Sequence, residues 1–265
     1  MRRHIDSQFV LTGGIETNMQ ERPAGRFTPR PVSWPAQTLL GMLSAATREE
    51  LLSLGTPRQY LPNSLLMLEG DSTTEVMALI DGWVKVVGTT EEGGHALLSL
   101  RIGGDLVGEQ AALEDEPRSA SVISAGVTVA QVISQRDFVR FLDRHPDAGL
   151  AVSRALSGKL RWATRRRVDF SGLSVVTRLA RVLGELGSLY GQPTSNGIEF
   201  RYTLTQPELA AMVGASEPSV HKALRQLRAD GIVVTGYRQV VITNPGALDA
   251  IAGGRRVMTP GPRTR

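Results

Sequence analysis

At Ser134 the spacing of apolar residues changes from short alternating stretches to a helical repeat of three and four, so the chain must carry both sheet and helix, an α+β architecture. From Gln59 to Ser134 the β-branched stretches LLML, VMALI, WVKVV, ALLSL, SASVIS and VTVAQVI alternate with turn pairs such as Gly70-Asp71 and Gly103-Gly104. This spacing predicts an antiparallel sandwich or roll. The Asp81-Gly82 pair between VMALI and WVKVV predicts a hairpin, because a type I′ turn needs two residues that tolerate positive φ. Upstream, Thr47 with Glu50 reads as a capping box that opens the first helix. Downstream, RDFVRFLDRH is followed by a helical run from Pro146 to about Phe170 with no internal proline and with Gly158 as a weak point. Val152, Leu156, Leu160, Ala163 and Phe170 lie close to one stripe of that run. Such a seam either pairs two chains or packs on the roll. The helix outlasts the roll it would cover, which favours pairing.

Composition removes several chemistries. Cysteine is absent, which excludes disulfides, Cys-ligated zinc, iron–sulfur clusters and thiol catalysis. No apolar run approaches the roughly 18 residues that span a bilayer. The start MRRHIDSQFVLTGG is basic without a continuous apolar stretch or cleavage site, so a cytoplasmic protein with no membrane partner is expected. Charge is divided unevenly: through His145 there are 13 Lys and Arg against 18 Asp and Glu, and from Pro146 onward 17 against 8. The basic second half either faces a polyanion or reflects ordinary drift between two domains. Residues 1–33 and 252–265 show no sustained period and read as a mobile arm and a flexible basic tail.

Two segments carry chemistry. The first is Gly103-Gly104-Asp105-Leu106-Val107-Gly108-Glu109, then AALEDEP, then Arg118-Ser119-Ala120. Glycines let backbone N–H groups approach an anion, an Arg118 fork binds phosphate, and Glu109 accepts from sugar hydroxyls. Together they suit a sugar phosphate; the same residues also suit a turn with a surface Glu109–Arg118 ion pair. The second is LTQPELAAMVGASEPSVHKALRQLRADGIV. Thr205 with Glu208 forms a capping box, Pro207 sits in the first turn, and Gly214 makes the bend. Ser216 then caps a second helix with Val220, Leu224 and Leu227 on its buried side, Gly231 ends it, and residues 232–234 and 239–242 form a strand pair.

The stretch NSLLMLEGDSTTEVMALIDGWVKVV with GGDLVGEQAALEDEPRSASV resembles the cyclic-nucleotide-binding domain. The second segment resembles the winged helix-turn-helix of the cyclic-AMP receptor and fumarate-nitrate regulator superfamily, whose domain order this chain repeats over about residues 38–248. The resemblance implies a jelly-roll β-roll at 34–145, a long dimerisation helix at 146–171 and a winged helix-turn-helix domain at 172–251. It implies that Gly108 and Ala120 border a nucleotide pocket, that Glu109 holds the ribose 2′-hydroxyl, and that Arg118 with Ser119 holds the cyclic phosphate. Ala163-Thr164 stands where family members place a Thr-Ser pair that reaches adenine partly across the dimer, so one hydroxyl of two remains. Cyclic AMP is the expected effector, with no covalent cofactor; cyclic GMP, another nucleotide, or no ligand is the alternative.

By the same resemblance Thr205, Ser216, Ser219 and Arg225 match phosphate-contacting positions, with Glu217, His221 and Lys222 also outward on the second helix. Lys222 can donate to guanine O6 and N7, and Glu217 can accept from cytosine N4; each also has a role without bases, Glu217 toward the helix dipole and Lys222 toward phosphate. Relatives often carry an Arg-Glu pair and a further Arg at the base-reading places, where this chain has Glu217, Pro218 and Lys222, so a different operator is expected. Implied partners are a pseudo-palindromic DNA duplex, a second copy of the chain and RNA polymerase. The cluster Arg161, Arg165, Arg166 and Arg167 reads as a solvated face, with nucleotide or DNA contact as the alternative, and a hinge is expected near Ser171-Gly172. An enzyme is the rival class. The four histidines, His4, His95, His145 and His221, form no recognisable ligand pair, and the cassette offers binding groups without a positioned nucleophile or base.

Overall fold

A computed structural model describes residues 34–89, 95–200, 204–236 and 239–253, with three short strands further upstream. It divides into two compact units, Met1–Arg161 and Trp162–Arg265. In the first unit the elements run β1 (Phe9–Leu11), β2 (Ile15–Thr17), β3 (Glu21–Pro23), α1 (Leu39–Met42), α2 (Ala45–Ser53), β4 (Thr56–Tyr60), β5 (Leu65–Met67), β6 (Val76–Asp81), β7 (Trp83–Thr89) and β8 (His95–Ile102). They continue through β9 (Leu106–Val107), α3 (Glu109–Glu114), β10 (Ser121–Ser124), β11 (Thr128–Ile133) and α4 (Gln135–Arg144) into α5 (Pro146–Gly172). Within the expected arm, β1 pairs with β2, and β3 adds to the edge of β4. Of the expected tail, residues 254–265 lie outside the described residues.

The roll is two antiparallel sheets, ordered β5-β10-β7-β8 and β3-β4-β11-β6-β9. The expected Asp81-Gly82 hairpin does not form. Strand β6 pairs with β11 and β9, whereas β7 pairs with β10 and β8, so the chain crosses between sheets at this point. Asp81 keeps a negative φ and only Gly82 is positive, at 84°, because Asp81 pairs with Val129 at a register shift of β11. A corner between sheets and a tight hairpin share the same turn chemistry, and only the partner strands distinguish them.

Side chains from both sheets make an inner core around Tyr60, Leu79, Val84 and Ala130. A second core joins the roll to the helices through Leu40, Leu51, Ile133, Phe138 and Phe141. Helix α2 begins two residues before Thr47: Ser44 is the cap, its hydroxyl accepting from Thr47 N at 3.1 Å. Thr47 lies inside the first turn, and its hydroxyl donates to Asp147 Oδ2 of α5 at 2.9 Å. The first turns of α5 bury Ala148, Ala151 and Val152 and pack Leu156 on this core, so this part of the expected seam belongs to the roll. Leu160, by contrast, is 69% exposed.

The second unit holds the end of α5, then α6 (Val175–Tyr190), β12 (Gly191–Thr194), β13 (Gly197–Phe200), α7 (Gln206–Val213), α8 (Glu217–Ala229), β14 (Val233–Gly236), β15 (Gln239–Ile242) and α9 (Pro245–Ile251). The wing is a four-stranded sheet ordered β12-β13-β15-β14, larger than the single strand pair expected. Its extra hairpin, GQPT and GIEF, is poor in β-branched residues, which hid it from a periodicity reading. Apolar side chains of α6, α7, α8 and β15, including Leu183, Val213, Val220, Leu227 and Ile242, bury together.

Candidate functional site

Strand β9 delivers the chain to Gly108, which has φ 81° and opens α3. The positive φ strains any larger residue there, and a Cβ, 2.5 Å from Met67 Cε and 2.6 Å from Arg118 Nη1, would displace the ends of both side chains. Arg118, 4% exposed, is fixed by three bonds: Nη1 donates to Gly108 O at 3.0 Å, Nη2 to Glu75 O at 2.7 Å and Nε to Thr73 Oγ1 at 3.1 Å. Burial lowers the guanidinium pKa, opposed by the Glu75, Asp71 and Glu109 charges, and the group stays cationic. Gly108, Glu109, Arg118, Ser119 and Ala120 line one cleft, which encloses about 480 Å³ with its mouth included. Ser119 donates to Gln110 Oε1 at 3.2 Å across it.

Glu109 is 4% exposed, and its companion is a residue the sequence reading passed over. Lys159 Nζ of α5 donates to Glu109 Oε1 at 2.6 Å and to Leu106 O at 3.1 Å. Its signal was present: Lys159 follows Val152, Ala155 and Leu156 at helical spacing, a cation on a face that is otherwise apolar and buried or half-buried. Arg101 of β8 lines the same cleft. In place of the alternative Glu109–Arg118 ion pair there are two pairs, Glu109 with Lys159 and Arg118 with Glu75 at 3.6 Å.

Behind the cleft a smaller hollow shares Glu109 and Lys159 and holds Asp105, whose Oδ2 accepts from Ile102 N at 3.1 Å. Burial pushes the Asp105 carboxyl above its ordinary value, against the charges of Arg101 and Lys159. A carboxyl raised in the folded state contributes stability at pH below its ordinary pKa and loses it as pH rises through the raised value. Asp105→Asn, which keeps an acceptor for Ile102 N, is therefore expected to melt above wild type at neutral pH, with the gap closing in acid. Melting curves across pH check this; equal melting at neutral pH refutes it.

In the second unit the capping box is present: Thr205 N donates to Glu208 Oε2 at 2.8 Å and Glu208 N to Thr205 Oγ1 at 3.4 Å. Ser216 occupies the cap position of α8, but its hydroxyl pairs with Ser219 Oγ at 2.9 Å in place of a backbone N–H. Glu217, Pro218, His221, Lys222 and Arg225 are exposed on α8, and Ser219 is half-buried, opposite the buried Val220, Ala223, Leu224 and Leu227. The arginine cluster divides: Arg161, Arg165 and Arg167 are exposed, while the Arg166 side chain is 11% exposed and ion-paired with Glu185. Thr164 lies on an exposed stripe of α5 with Leu150, Ser157, Leu160 and Val168. Among the described residues no cluster of three metal-ligating side chains occurs, and no helix is long and apolar enough to cross a membrane.

Residues 57–145 match the model of the cyclic nucleotide-binding domain, and residues 177–251 match the Crp-like helix-turn-helix domain. The chain belongs to the cyclic-AMP receptor and fumarate-nitrate regulator superfamily. Within that superfamily it is 26% identical over 206 residues to a CRP-like cAMP-activated global transcriptional regulator of Mycobacterium tuberculosis, covering 77% of this chain and 89% of the relative. It is 25% identical over 198 residues to the cAMP-activated global transcriptional regulator of Salmonella typhimurium, covering 74% and 93%. In fold it is similar to a CRP-family transcriptional regulator of Thermus thermophilus, with TM-score 0.62, 24% identity and coverage of 74% and 96%. It is also similar to the c-di-GMP responsive global regulator of Xanthomonas campestris, with TM-score 0.64, 24% identity and coverage of 75% and 99%. As a superfamily member, the chain joins a cyclic-nucleotide-binding roll to a DNA-binding helix-turn-helix of the transcription regulators.

Proposed function

We propose that this protein is a homodimeric transcription regulator whose DNA affinity is set by cyclic AMP held in the roll. The reading is carried by Arg118: a buried guanidinium, oriented by two backbone carbonyls on the floor of a cleft that also presents Ser119 and Glu109. That arrangement suits an anion bearing a sugar. Arg118 and Ser119 hold the cyclic phosphate, and Glu109, steadied by Lys159, accepts from the ribose hydroxyl. Gly108 and Ala120 form the walls. The relatives named as cAMP-activated support this nucleotide first. No reaction is run on it.

The exposed stripe of α5 is the pairing surface, and Thr164 faces the second copy along it. Each copy presents α8 to the major groove of a half-site. Lys222 and Glu217 read bases, while His221, Ser216, Ser219, Arg225 and the Thr205 end of α7 lie toward the backbone. Lys222→Ala is expected to lower operator affinity by the equivalent of roughly 1–3 kcal/mol and to relax preference at one base pair per half-site. Selection of bound duplexes from a random pool checks it; an unchanged consensus removes Lys222 from the reading. RNA polymerase is the further partner of this reading.

A nucleotide changes DNA affinity only through unequal affinity for two conformers, and a coupling of about 1–3 kcal/mol corresponds to roughly 5- to 150-fold. The deciding experiment titrates affinity for the selected duplex against cyclic AMP, cyclic GMP and a cyclic dinucleotide. A change with cyclic AMP alone supports the full reading. A change with another nucleotide alone reassigns the ligand, and no change with any leaves a ligand-independent regulator.

A further inference from the structure

The last turn of a helix leaves carbonyl groups without intrahelical partners. At the end of α7, where the helix-turn-helix bends, two arginines from outside the motif take such groups. Arg166 Nη1 of α5 donates to Met212 O at 3.3 Å, and Arg178 Nη1 of α6 donates to Gly214 O at 3.0 Å. Arg166 is held from its other side as well. Its Nη2 donates to Glu185 Oε2 at 3.1 Å, and the same oxygen accepts from Trp162 Nε1 at 3.0 Å. The guanidinium lies 4.7 Å from the centre of the Trp162 ring.

One turn further along α5, Phe170 lies directly on the bend: a Cβ on Gly214 would fall 1.4 Å from Phe170 Cε1. The Arg178 guanidinium lies 5.3 Å from the centre of the same ring. Asp169 pairs with Arg181, which also donates to Ala252 O at 2.9 Å. The helix break at Leu173-Ser174 is therefore bridged, and bending at Ser171-Gly172, where a hinge was expected, would have to break these contacts.

We propose that Arg166 is a positioning residue for DNA recognition, fixing the α7–α8 bend against the end of α5 and so setting where α8 presents Glu217 and Lys222. The inference rests on the DNA-binding reading. Helix α8 starts at Glu217, three residues after Gly214, so a shift of the bend is carried to its base-reading end. Only the planar fork of arginine can meet a carbonyl, a carboxylate and an indole face together; an ammonium is a single point. The Arg166 side chain is 11% exposed and its two terminal nitrogens are engaged by Met212 O and Glu185, so the effect expected of its loss is on the bend and not on a phosphate contact.

The test uses the full chain, the duplex selected by wild type, and an unrelated duplex of equal length. Arg166→Gln is expected to lower affinity for the selected duplex on the order of tenfold, to change affinity for the unrelated one by less than about twofold, and to leave the salt slope unaltered. Arg166→Lys is expected to fall between, and hydrogen exchange across residues 212–217 to quicken in both. A folded Arg166→Gln that binds the selected duplex as wild type does, or loses both duplexes equally, overturns the proposal. Should Arg166→Gln fail to fold, Trp162→Phe, which removes one bond to Glu185, is expected to shift selectivity in the same direction, and unchanged selectivity there overturns it. If wild type binds no duplex, the DNA-binding reading fails by itself, and exchange across 212–217 still decides whether Arg166 fixes the bend.

Discussion

Arg118→Ala is expected to lower cyclic AMP affinity about 100-fold or more and to abolish the nucleotide's effect on DNA binding. Each hydrogen bond between a guanidinium and a charged acceptor contributes about 1.5–3 kcal/mol, and a phosphate offers acceptors for two. The same substitution removes the Arg118 bond to Glu75 O and one of the two bonds to Gly108 O, which keeps Ala112 N, so a loss of roughly 1–3 kcal/mol of stability accompanies it. Calorimetry with cyclic AMP, run beside a thermal melt, separates the two effects. Arg118→Lys keeps the charge but not the three-way fixation by Thr73, Gly108 and Glu75, and is expected to recover only part of the affinity. Nucleotide affinity equal to wild type in a folded Arg118→Ala would place the ligand elsewhere.

Leu160→Glu is expected to turn a dimer into a monomer while leaving the fold of each chain intact. Leu160 is 69% exposed, so within one chain the change falls among surface substitutions, worth within about 0.5 kcal/mol. Across two copies of the α5 stripe it sets like charges against each other. Because the two half-sites are then bound independently, affinity for a two-half-site operator should fall by about 10²- to 10⁴-fold, with single half-site affinity little changed. Sedimentation and anisotropy measure both. A variant that sediments with wild-type mass would show that this stripe is not the interface.

Local signals were legible wherever the governing interaction is local. Thr205 with Glu208, Ser134 at the start of α4 and Gly214 at the bend each act within a few residues, and all three stand where the sequence placed them. The cassette was legible for a related reason: Gly108, Glu109 and Arg118 are close along the chain, with one short helix between them. What was misread depends on partners far along the chain. Thr47 looked like a cap, but Ser44 holds that place and Asp147, a hundred residues away, takes the Thr47 hydroxyl. Asp81-Gly82 looked like a hairpin because sequence carries no record of which sheet each flanking strand joins. Lys159 was hidden because a helix repeat shows which face a cation shares, but not which carboxylate waits opposite it.

By itself the amino-acid order determined the succession of roll, long helix and winged domain, and the chemical types brought to each, since periodicity and capping are properties of neighbours. Tertiary packing decided which charges meet: that Glu109 pairs with Lys159 and Arg118 with Glu75, that Val152 is core while Leu160 is surface, and that Arg166 reaches the bend before the recognition helix. The reason is that pairing energies and burial depend on distances through space, and those are created only when segments remote in sequence are brought together.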